Sequence, residues 1–244
     1  MMKSENSEST SLNKFISDTG RCSRRQADEI IRAGRVRIND VVARPGNRVE
    51  PGDKVTIDGK AIEAADKSGY VYIALNKPVG IECTTDQRVE GNIIDFLGYP
   101  ERIFPIGRLD KPSEGLILLT NHGDIVNKIL RARNAHEKEY IVSVNKPITS
   151  AFLKKMATGV PILDTVTLPC FIEKIDKFKF RMILTQGLNR QIRRMCKKLG
   201  YEVTGLKRVR IMNIRLGGLK TGKWRYLNKS ELGELKAMLR HSDK

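Results

Sequence analysis

The sequence predicts an α+β protein made of two unequal domains. With 244 residues, 40% of them hydrophobic, the chain is long enough to bury a sizeable core. Predicted strands and helices follow one another without regular alternation, which favours a mixed, mainly antiparallel β-sheet flanked by helices over a doubly wound parallel sheet. A polar link at residues 64–69 separates a small domain (11–63) from a larger one (70–244), and residues 1–10 are predicted to be a disordered leader.

The chain is strongly basic, with 45 Lys and Arg against 28 Asp and Glu and a formal net charge of +17. A folded protein with this excess of positive charge usually meets a polyanion. A membrane-spanning helix is not predicted, because no apolar run approaches the ~20 residues that a bilayer requires. The start of the chain is polar and does not resemble a secretion signal.

No metal or cofactor site is predicted. The chain has four isolated cysteines, Cys22, Cys83, Cys170 and Cys196, and its three histidines share no ligand spacing. Unpaired thiols are typical of a reducing cytoplasm. The segment Gly217–Lys223 begins like a phosphate-binding P-loop, but Trp224 stands where that loop needs Ser or Thr, so we interpret it as a glycine-rich loop on a basic surface.

The small domain is predicted to begin with two helices. Hydrophobic spacing over residues 12–16 indicates the first helix, which Gly20 ends, and Ser23 with Gln26 forms a capping box for the second. Two short strands are expected after them, at residues 36–38 and 54–57. The domain is therefore compact and self-contained.

An excess of arginine marks this domain: Arg21, Arg24, Arg25, Arg32, Arg35 and Arg37. Only Asp28 and Glu29 balance these residues within the same segment. A solvated helix more often mixes its charges, as Glu/Lys pairs do. Because guanidinium groups suit phosphate oxygens, the pattern predicts phosphate contacts.

Four segments of the small domain match a known module: Leu12-Asn13-Lys14-Phe15, Arg21-Cys22-Ser23-Arg24-Arg25, Gly34-Arg35-Val36 and Val49-Glu50-Pro51-Gly52-Asp53. They resemble the alpha-L RNA-binding module found in a ribosomal protein and in tyrosyl-tRNA synthetase. The resemblance implies that this domain binds structured RNA through its arginine-bearing helices.

One acidic side chain of the larger domain, Asp110, follows the apolar, strand-like stretch Phe104–Leu109 and lies between Arg108 and Lys111. After a turn, Leu116–Thr120 returns as a second strand that is apolar enough to be buried. A carboxylate at the rim of a sheet with cations nearby is expected to be ionised, as a carboxylate nucleophile must be. On composition alone, an ordinary surface ion pair is the alternative.

Hydrophobic periodicity predicts the other elements of the larger domain. Strands are expected at residues 70–75 and 138–144, and a hairpin pairs residues 166–175 with 178–184. Helices are expected at residues 92–97 and 149–157. A further helix follows Asp124 and has four inward side chains, Ile125, Val126, Ile129 and Leu130.

The helix predicted over residues 188–199 combines an apolar face with a basic one. Its apolar face carries Leu188, Ile192, Met195 and Leu199. Its opposite side and flank carry Arg190, Arg193, Arg194 and Lys197. Residues 190–210 hold eight Lys and Arg against one acid, Glu202, which is more one-sided than solubility requires.

These features limit the chemistry to what one carboxylate and several cations can do on RNA. Phosphodiester hydrolysis usually requires metals or a histidine pair, and deamination requires zinc, and the sequence shows neither set of residues. Isomerisation of uridine breaks the N-glycosidic bond, turns the base and rejoins it through carbon. That reaction needs no outside reactant and no cofactor.

Three motifs in the larger domain agree with this interpretation: Gly107-Arg108-Leu109-Asp110, Lys138-Glu139-Tyr140 and Gly187-Leu188-Asn189-Arg190-Gln191-Ile192-Arg193-Arg194-Met195. They resemble the three motifs of the RNA pseudouridine synthases. With Leu119-Thr120-Asn121 and the N-terminal module, the chain is similar to the RsuA branch of that family, from about Leu12 to the C-terminus.

The resemblance implies roles for individual residues. Asp110 would act at the target uridine, either by attacking C1′ or by starting elimination to a glycal, and Arg193 would pair with it. Tyr140 would stack on the extruded base, although packing within a strand is the alternative. RNA contacts are implied for Arg108, Ile192, Arg190, Arg194, Arg24 and Arg25, and core packing accounts for Ile192 equally well.

We therefore expect a cytoplasmic, monomeric RNA pseudouridine synthase that acts on large-subunit (23S) ribosomal RNA without a metal or other cofactor. A tRNA-directed synthase is one alternative. A non-catalytic RNA-binding or ribosome-assembly protein is another, and the presence of Asp110, Tyr140 and Arg193 speaks against it.

Overall fold

The computed structural model describes residues 9–66 and 69–242, which divide into two compact units. Unit 1 extends to Tyr70 and includes Pro100–Arg102, and unit 2 comprises Val71–Tyr99 and Ile103–Lys244. Residues 1–8 of the predicted leader and two residues of the predicted link, 67 and 68, lie outside the described residues. Within the described ranges, no helix has the length and apolar character needed to cross a bilayer.

In its described residues, unit 1 contains two helices and six short strands: β1 (Thr10–Ser11), α1 (Leu12–Asp18), α2 (Arg24–Arg32), β2 (Val36–Ile38), β3 (Val41–Val42), β4 (Arg48–Val49), β5 (Val55–Ile57) and β6 (Lys60–Ile62). Four strands form an antiparallel sheet in the order β3-β2-β5-β6, and β1 pairs with β4. The predicted capping box begins α2, since Gln26 N donates to Ser23 Oγ at 3.2 Å and Ser23 N donates to Gln26 Oε1 at 2.9 Å.

The predicted leader is too long at its C-terminal end. Thr10 and Ser11 pair with Val49 and Arg48, and Arg48 Nε donates to Ser9 Oγ at 2.6 Å. Pairing with a distant strand orders these residues, and their own polar side chains carry no strand signal. The prediction of a disordered leader is therefore wrong for residues 9 and 10.

Unit 2 contains eleven strands within the described residues: β7 (Tyr72–Lys77), β8 (Phe104–Ile106), β9 (Glu114–Thr120), β10 (Lys138–Val144), β11 (Pro161–Ile162), β12 (Thr165–Val166), β13 (Phe171–Lys174), β14 (Lys179–Leu184), β15 (Val203–Ile211), β16 (Ile214–Arg215) and β17 (Trp224–Tyr226). Nine of them form one sheet, whose main path is β13-β14-β10-β15-β9-β7-β17, with β8 beside β9 and β16 beside β15. Only the β15–β9 pair in this sheet is parallel, so the mixed, mainly antiparallel sheet is confirmed.

Five α-helices accompany this sheet in the described residues: α3 (Ile93–Leu97), α4 (Gly123–Leu130), α5 (Ser150–Thr158), α6 (Gln191–Lys198) and α7 (Lys229–Met238). A 3-10 helix, Ala132–Asn134, follows α4. Asn92 and Thr149, predicted as helix starts, are the N-caps of α3 and α5, and each accepts a hydrogen bond from a backbone N–H of the first turn. Helix α7 was not predicted, because Leu235 is its only fully buried residue.

Two predicted boundaries need correction. The predicted hairpin is shorter than expected, because Val166 pairs with Pro161 in a separate hairpin and β13 begins only at Phe171. Helix α6 begins three residues later than predicted. Arg190 adopts a left-handed backbone conformation (φ 49°), which a continuing α-helix does not accommodate.

One face of the large sheet is buried beneath α3, α5 and α6. The sheet contributes Ile73, Leu75, Ile117, Leu119, Val142, Phe180 and Met182, and the helices contribute Ile93, Phe152, Met156, Ile192 and Met195. Burying each such side chain stabilises the fold by about 1.5–3 kcal/mol. Ile192 and Met195 thereby fix α6 against the sheet, and this packing determines where the polar side chains of α6 lie.

Candidate active site

Asp110 lies in the turn between β8 and β9, as the sequence predicted. Ser113 N donates to Asp110 O at 2.9 Å and closes the turn. The preceding Leu109 is buried, and its N–H donates to Cys83 Sγ at 3.4 Å. The Asp110 side chain remains 30% exposed, so the turn holds its backbone while leaving the carboxylate accessible.

Arg193 of α6 faces this carboxylate, with Nε 3.8 Å from Asp110 Oδ2. The rest of the guanidinium is anchored: Nη2 donates to Pro112 O at 2.9 Å and to Ser113 Oγ at 3.1 Å, and Nη1 donates to Val203 O at 3.2 Å. Nε is buried without a hydrogen-bond partner. The separation is that of an ion pair and is too long for a hydrogen bond.

Burial lowers the pKa of Arg193 from its ordinary value of 12.5. The neighbouring charge of Arg190 lowers this pKa further, and Asp110 opposes the shift. A guanidinium stays protonated at neutral pH in spite of such effects. Asp110 is therefore paired with a fixed positive charge.

Tyr140 of β10 lies close to this pair. Its side chain is buried, with 9% exposure, and in the sheet it stands opposite Arg208 of β15 and Met182 of β14. The predicted strand Lys138–Val144 is confirmed at both ends. Tyr140 therefore has a fixed position on the wall of the cavity that contains Asp110.

A cavity of about 430 Å³ brings the predicted residues together. Six of them line it: Arg108, Asp110, Tyr140, Arg190, Ile192 and Arg193. This volume is within the usual range for small-ligand sites, which begins near ~300 Å³. The cavity can therefore admit a single nucleotide taken out of an RNA strand.

The charges around this cavity are unbalanced. Five basic residues line it, Arg108, Lys138, Arg190, Arg193 and Arg208, and Asp110 is the one carboxylate among its lining residues. Arg193 is compensated in part by Asp110. The remaining excess of positive charge suits a ligand that carries phosphate groups.

Two of these basic residues, Lys138 and Arg208, had no predicted role. Both are buried, Lys138 with 8% and Arg208 with 3% exposure. Lys138 Nζ donates to His136 O at 3.2 Å, and burial, with a smaller effect of Arg208, lowers the pKa of Lys138 to about 8. Arg208 Nε donates to Leu116 O at 2.7 Å, and its Nη2 is buried without a hydrogen-bond partner.

The sequence contains a signal that could have placed Lys138 in the site, but it contains none for Arg208. Lys138 precedes Tyr140 by two residues in a strand, which places both side chains on the same face. Arg208 cannot be distinguished in the sequence from its neighbour Arg210. In the structure, Arg210 forms ion pairs with Glu137 and Glu139, at 2.9 and 2.8 Å.

Gly115 allows β9 and β15 to meet beside the cavity. It adopts φ 110°, and a Cβ atom at this position would lie 2.3 Å from Arg208 O. Any other residue would therefore clash with the backbone of β15 and strain its own. The glycine fixes the distance between the Asp110 turn and the strand that carries Arg208.

Three predicted RNA-binding residues lie outside this cavity. Arg194 is not among its lining residues, and it donates from Nε and Nη2 to Asn189 O and Oδ1, each at 3.0 Å. Arg24 and Arg25 are exposed on α2 of unit 1. Arg35, another basic residue of that unit, donates from Nε to Asp58 Oδ1 at 2.9 Å.

The four cysteines are free thiols in the structure. Burial raises the pKa of Cys196 to about 12, so this thiol is protonated at neutral pH. Across residues 9–66 and 69–242, no three His, Cys, Asp or Glu side chains come together in a way that could hold a metal ion.

The chain belongs to the family described as RNA pseudouridylate synthase, which matches residues 71–198. The S4 domain matches residues 10–55, the segment in which the sequence resembles the alpha-L module. The chain is thus an RNA pseudouridine synthase with an N-terminal S4 domain, and both the predicted family and the predicted fold are confirmed.

Among similar proteins, the dual-specificity RNA pseudouridine synthase RluF of Escherichia coli (strain K12) is 55% identical over 234 residues, 96% of this chain and 81% of that protein. The ribosomal large subunit pseudouridine synthase B of Bacillus subtilis (strain 168) is 35% identical over 239 residues, 94% of this chain and 97% of that protein. A crystal structure of a pseudouridylate synthase aligns with a TM-score of 0.68 and 29% identity, covering 93% of this chain and 99% of that one.

Proposed function

We propose that this synthase isomerises a uridine of large-subunit ribosomal RNA in the cytoplasm, with Asp110 as its catalytic group. The observation that carries the proposal is the Asp110–Arg193 pair, which opens into a cavity that has Tyr140 on its wall and an excess of positive charge. The name of the Bacillus subtilis relative, a ribosomal large subunit enzyme, supports this class of RNA.

In the proposed reaction, the target uridine leaves the RNA stack and its base lies against Tyr140. Asp110 then acts on the sugar as the bond between N1 and C1′ breaks. Its negative charge stabilises the positive charge that develops on the sugar, as a carboxylate does in glycosidases. Asp110 either bonds to C1′ or removes a proton from C2′ to give a glycal. The base turns, and C5 bonds to C1′ as the bond from C1′ to Asp110 breaks or, on the glycal route, as C2′ takes back its proton. The proton lost from C5 is balanced by the one gained at N1, so no other reactant is consumed.

Arg193 has a positioning role in this proposal. Its anchored guanidinium places a fixed positive charge 3.8 Å from the carboxylate. A movement of less than 1 Å would bring the unpartnered Nε into hydrogen-bond distance of Asp110. Such a tightening on substrate binding is common in catalytic sites.

Unit 1 provides a second contact with the RNA in this proposal. Four arginines of its helical segment are exposed and, within the described part of the chain, form no ion pair: Arg21, Arg24, Arg25 and Arg32. Exposed guanidinium groups bind phosphate without regard to sequence. They would hold folded RNA, while the cavity selects one nucleotide.

A second class of substrate is favoured by one observation. The relatives that are 55% and 57% identical are named dual-specificity enzymes, so we propose tRNA as a further substrate.

Mapping pseudouridine across all stable RNAs, in cells that hold either the active protein or its Asp110→Asn variant, tests both proposals. We expect one or more ribosomal positions to lose pseudouridine in the variant. A loss confined to tRNA would contradict the ribosomal proposal, and unchanged maps would contradict both.

A further inference from the structure

Aromatic side chains gather on the surface of unit 2 at the edge strand β17. Trp224 and Tyr226 are 37% and 54% exposed, and Phe96 of α3 is 38% exposed. Tyr99 joins this group: its ring centroid lies 6.0 Å from that of Trp224, and its hydroxyl lies 3.3 Å from that of Tyr226. The rings support one another and leave part of their surface open to solvent.

Alternation along β17 places Trp224 and Tyr226 on the same face of the sheet. Their partners in β7 are Leu75 and Ile73, both fully buried in the core of unit 2. Trp224 and Tyr226 therefore continue an apolar face to the sheet edge, where they remain partly uncovered. Their exposure comes from their position at the edge.

The segment around these rings is basic. Residues 220–229 contain Lys220, Lys223, Arg225 and Lys229 and no acidic residue. Arg225 is bound by Glu231 at 2.7 Å, whereas the three lysines are exposed. A surface that combines open aromatic rings with unbalanced lysines is complementary to a nucleic acid strand.

Strand pairing relates this surface to the catalytic cavity. Trp224 pairs with Leu75, and Leu75 pairs with Ile117. Two residues earlier in β9, Gly115 pairs with Arg208, which stands opposite Tyr140. Trp224 thus lies on the same face as Tyr140, four strand spacings away, or roughly 20 Å at ~4.8 Å per spacing.

We propose that Trp224 and Tyr226 form a stacking surface for unpaired bases of the substrate RNA, outside the catalytic cavity. Aromatic rings stack on any base, and the adjacent lysines follow the phosphate backbone. RNA with one nucleotide in the cavity needs to extend only roughly 20 Å over the surface of unit 2 to reach β17. The inference rests on the proposed function, because it assumes that an RNA occupies the cavity.

Trp224 is the only tryptophan of the chain, so its fluorescence reports directly on this surface. The full-length protein is titrated with a short oligouridylate and, separately, with a duplex RNA of the same length. We expect the single strand to quench the tryptophan emission over the concentration range in which it binds, and the duplex to quench it less. Binding of the oligouridylate with unchanged emission would overturn the proposal.

Substitutions test the same surface independently. Stacking on one aromatic ring predicts a Kd for oligouridylate about 5-fold to 150-fold weaker in Trp224→Ala or Tyr226→Ala, with kcat at saturating RNA unchanged. Phe178→Ala, which removes a ring 42% exposed in the turn between β13 and β14, is the matched control and should leave the Kd unchanged. Affinities within twofold of wild type in both β17 variants would overturn the proposal.

A second variant keeps the test decisive if the aromatic substitutions disturb the fold. Lys220→Gln with Lys223→Gln should flatten the dependence of log Kd on log salt by about 0.7 for each phosphate that the variant no longer binds. An unchanged slope, or concentration-dependent self-association that Trp224→Ala abolishes, would instead indicate that the surface does not serve RNA. Absence of pseudouridine formation by the wild-type protein would contradict the proposed function itself, whatever the fluorescence shows.

Discussion

Arg193 donates to three acceptors from two segments of the chain, and the Asp110 carboxylate in front of it is 30% exposed. The cation is therefore fixed before substrate arrives, while the anion keeps an open side. A preorganised charge of this kind costs little reorganisation during a reaction. Removal of the carboxylate alone should then affect chemistry far more than binding.

Asp110→Asn tests whether the carboxylate serves chemistry rather than binding. The substitution is nearly isosteric, so we expect turnover to be lost while the Kd for RNA changes by less than about tenfold. Asp164→Asn, in the exposed hairpin between β11 and β12, serves as the control and should keep full activity. Comparable turnover in the Asp110 variant would remove this residue from the mechanism.

Lys138 gives a pH-dependent prediction. Its pKa falls from 10.5 to about 8 in the folded protein, chiefly through burial. Between these two pKa values, Lys138 is protonated more often in the unfolded chain than in the folded protein. The free energy of unfolding therefore rises with pH across this range, and the burial of the charged lysine destabilises the fold most below about pH 8. Lys138→Met removes the cost.

We therefore expect Lys138→Met to stabilise the protein by up to about 3 kcal/mol at pH 7, with a gain that shrinks as the pH approaches 10. Urea unfolding of both proteins at several pH values measures this difference. Lys154→Met, at an exposed position on α5, is the control. A gain independent of pH would show that packing, not charge, is responsible. RNA affinity should fall in the Lys138 variant, because the cavity then has one cation fewer.

Local patterns in the sequence predicted six of the seven α-helices of the described residues but only eight of their seventeen strands, and β15, the longest strand, was not predicted. Alternating apolar residues identified β10 at both ends, and capping residues located the starts of α2, α3 and α5 within one residue. The errors arose where a distant partner or a backbone conformation decides the outcome. Thr10 is ordered by Val49, and Arg190 in its left-handed conformation delays α6.

The catalytic motif was recognisable in the sequence, but the environment of the site was not. Asp110, Tyr140 and Arg193 lie in motifs that resemble a known family, and the structure brings them to one cavity. Arg208 carries no local signal. It becomes part of the site only because β15 pairs in parallel with β9, a contact between segments about ninety residues apart in the sequence.

Gly115→Ala tests that contact. The new methyl group would lie 2.3 Å from Arg208 O, at a residue whose φ is 110°, so backbone strain and a clash act together. We expect a loss of several kcal/mol in unfolding free energy and a large loss of turnover, measured by urea denaturation and by pseudouridine formation. Gly218→Ala, at a position with no atom within 4 Å of the added carbon, should change neither. Wild-type stability in the Gly115 variant would mean that β9 and β15 can separate without cost.

The chain joins an S4 domain to a catalytic domain, and most of its net charge of +17 lies in the catalytic domain. Residues 71–244 hold 32 Lys and Arg against 17 Asp and Glu, whereas residues 1–70 hold 13 against 11. Binding of folded RNA should therefore depend steeply on salt, because each phosphate contact releases counterions. The contribution of each domain can be measured separately.

Arg24→Gln with Arg25→Gln, in the full-length protein, tests the contribution of unit 1. We expect weaker binding of ribosomal RNA and a log Kd–log salt slope reduced by about 0.7 to 0.9 for each phosphate that these arginines neutralise in the wild type. The control exchanges two exposed lysines of α5, Lys154 and Lys155, for Gln. If the slopes of the two variants and the wild type coincide, the arginines of α2 do not touch RNA.

The parallel pairing of β9 with β15 also bears on when activity can first arise during protein synthesis. Asp110, the proposed catalytic group, is translated early, but its guanidinium partner Arg193 and the strand that completes the cavity wall come about eighty to a hundred residues later. With the RNA contact proposed for unit 1, an incomplete nascent chain would bind RNA through this unit before it can modify it. Translation products that stop before β15 should therefore compete for RNA without carrying out the reaction.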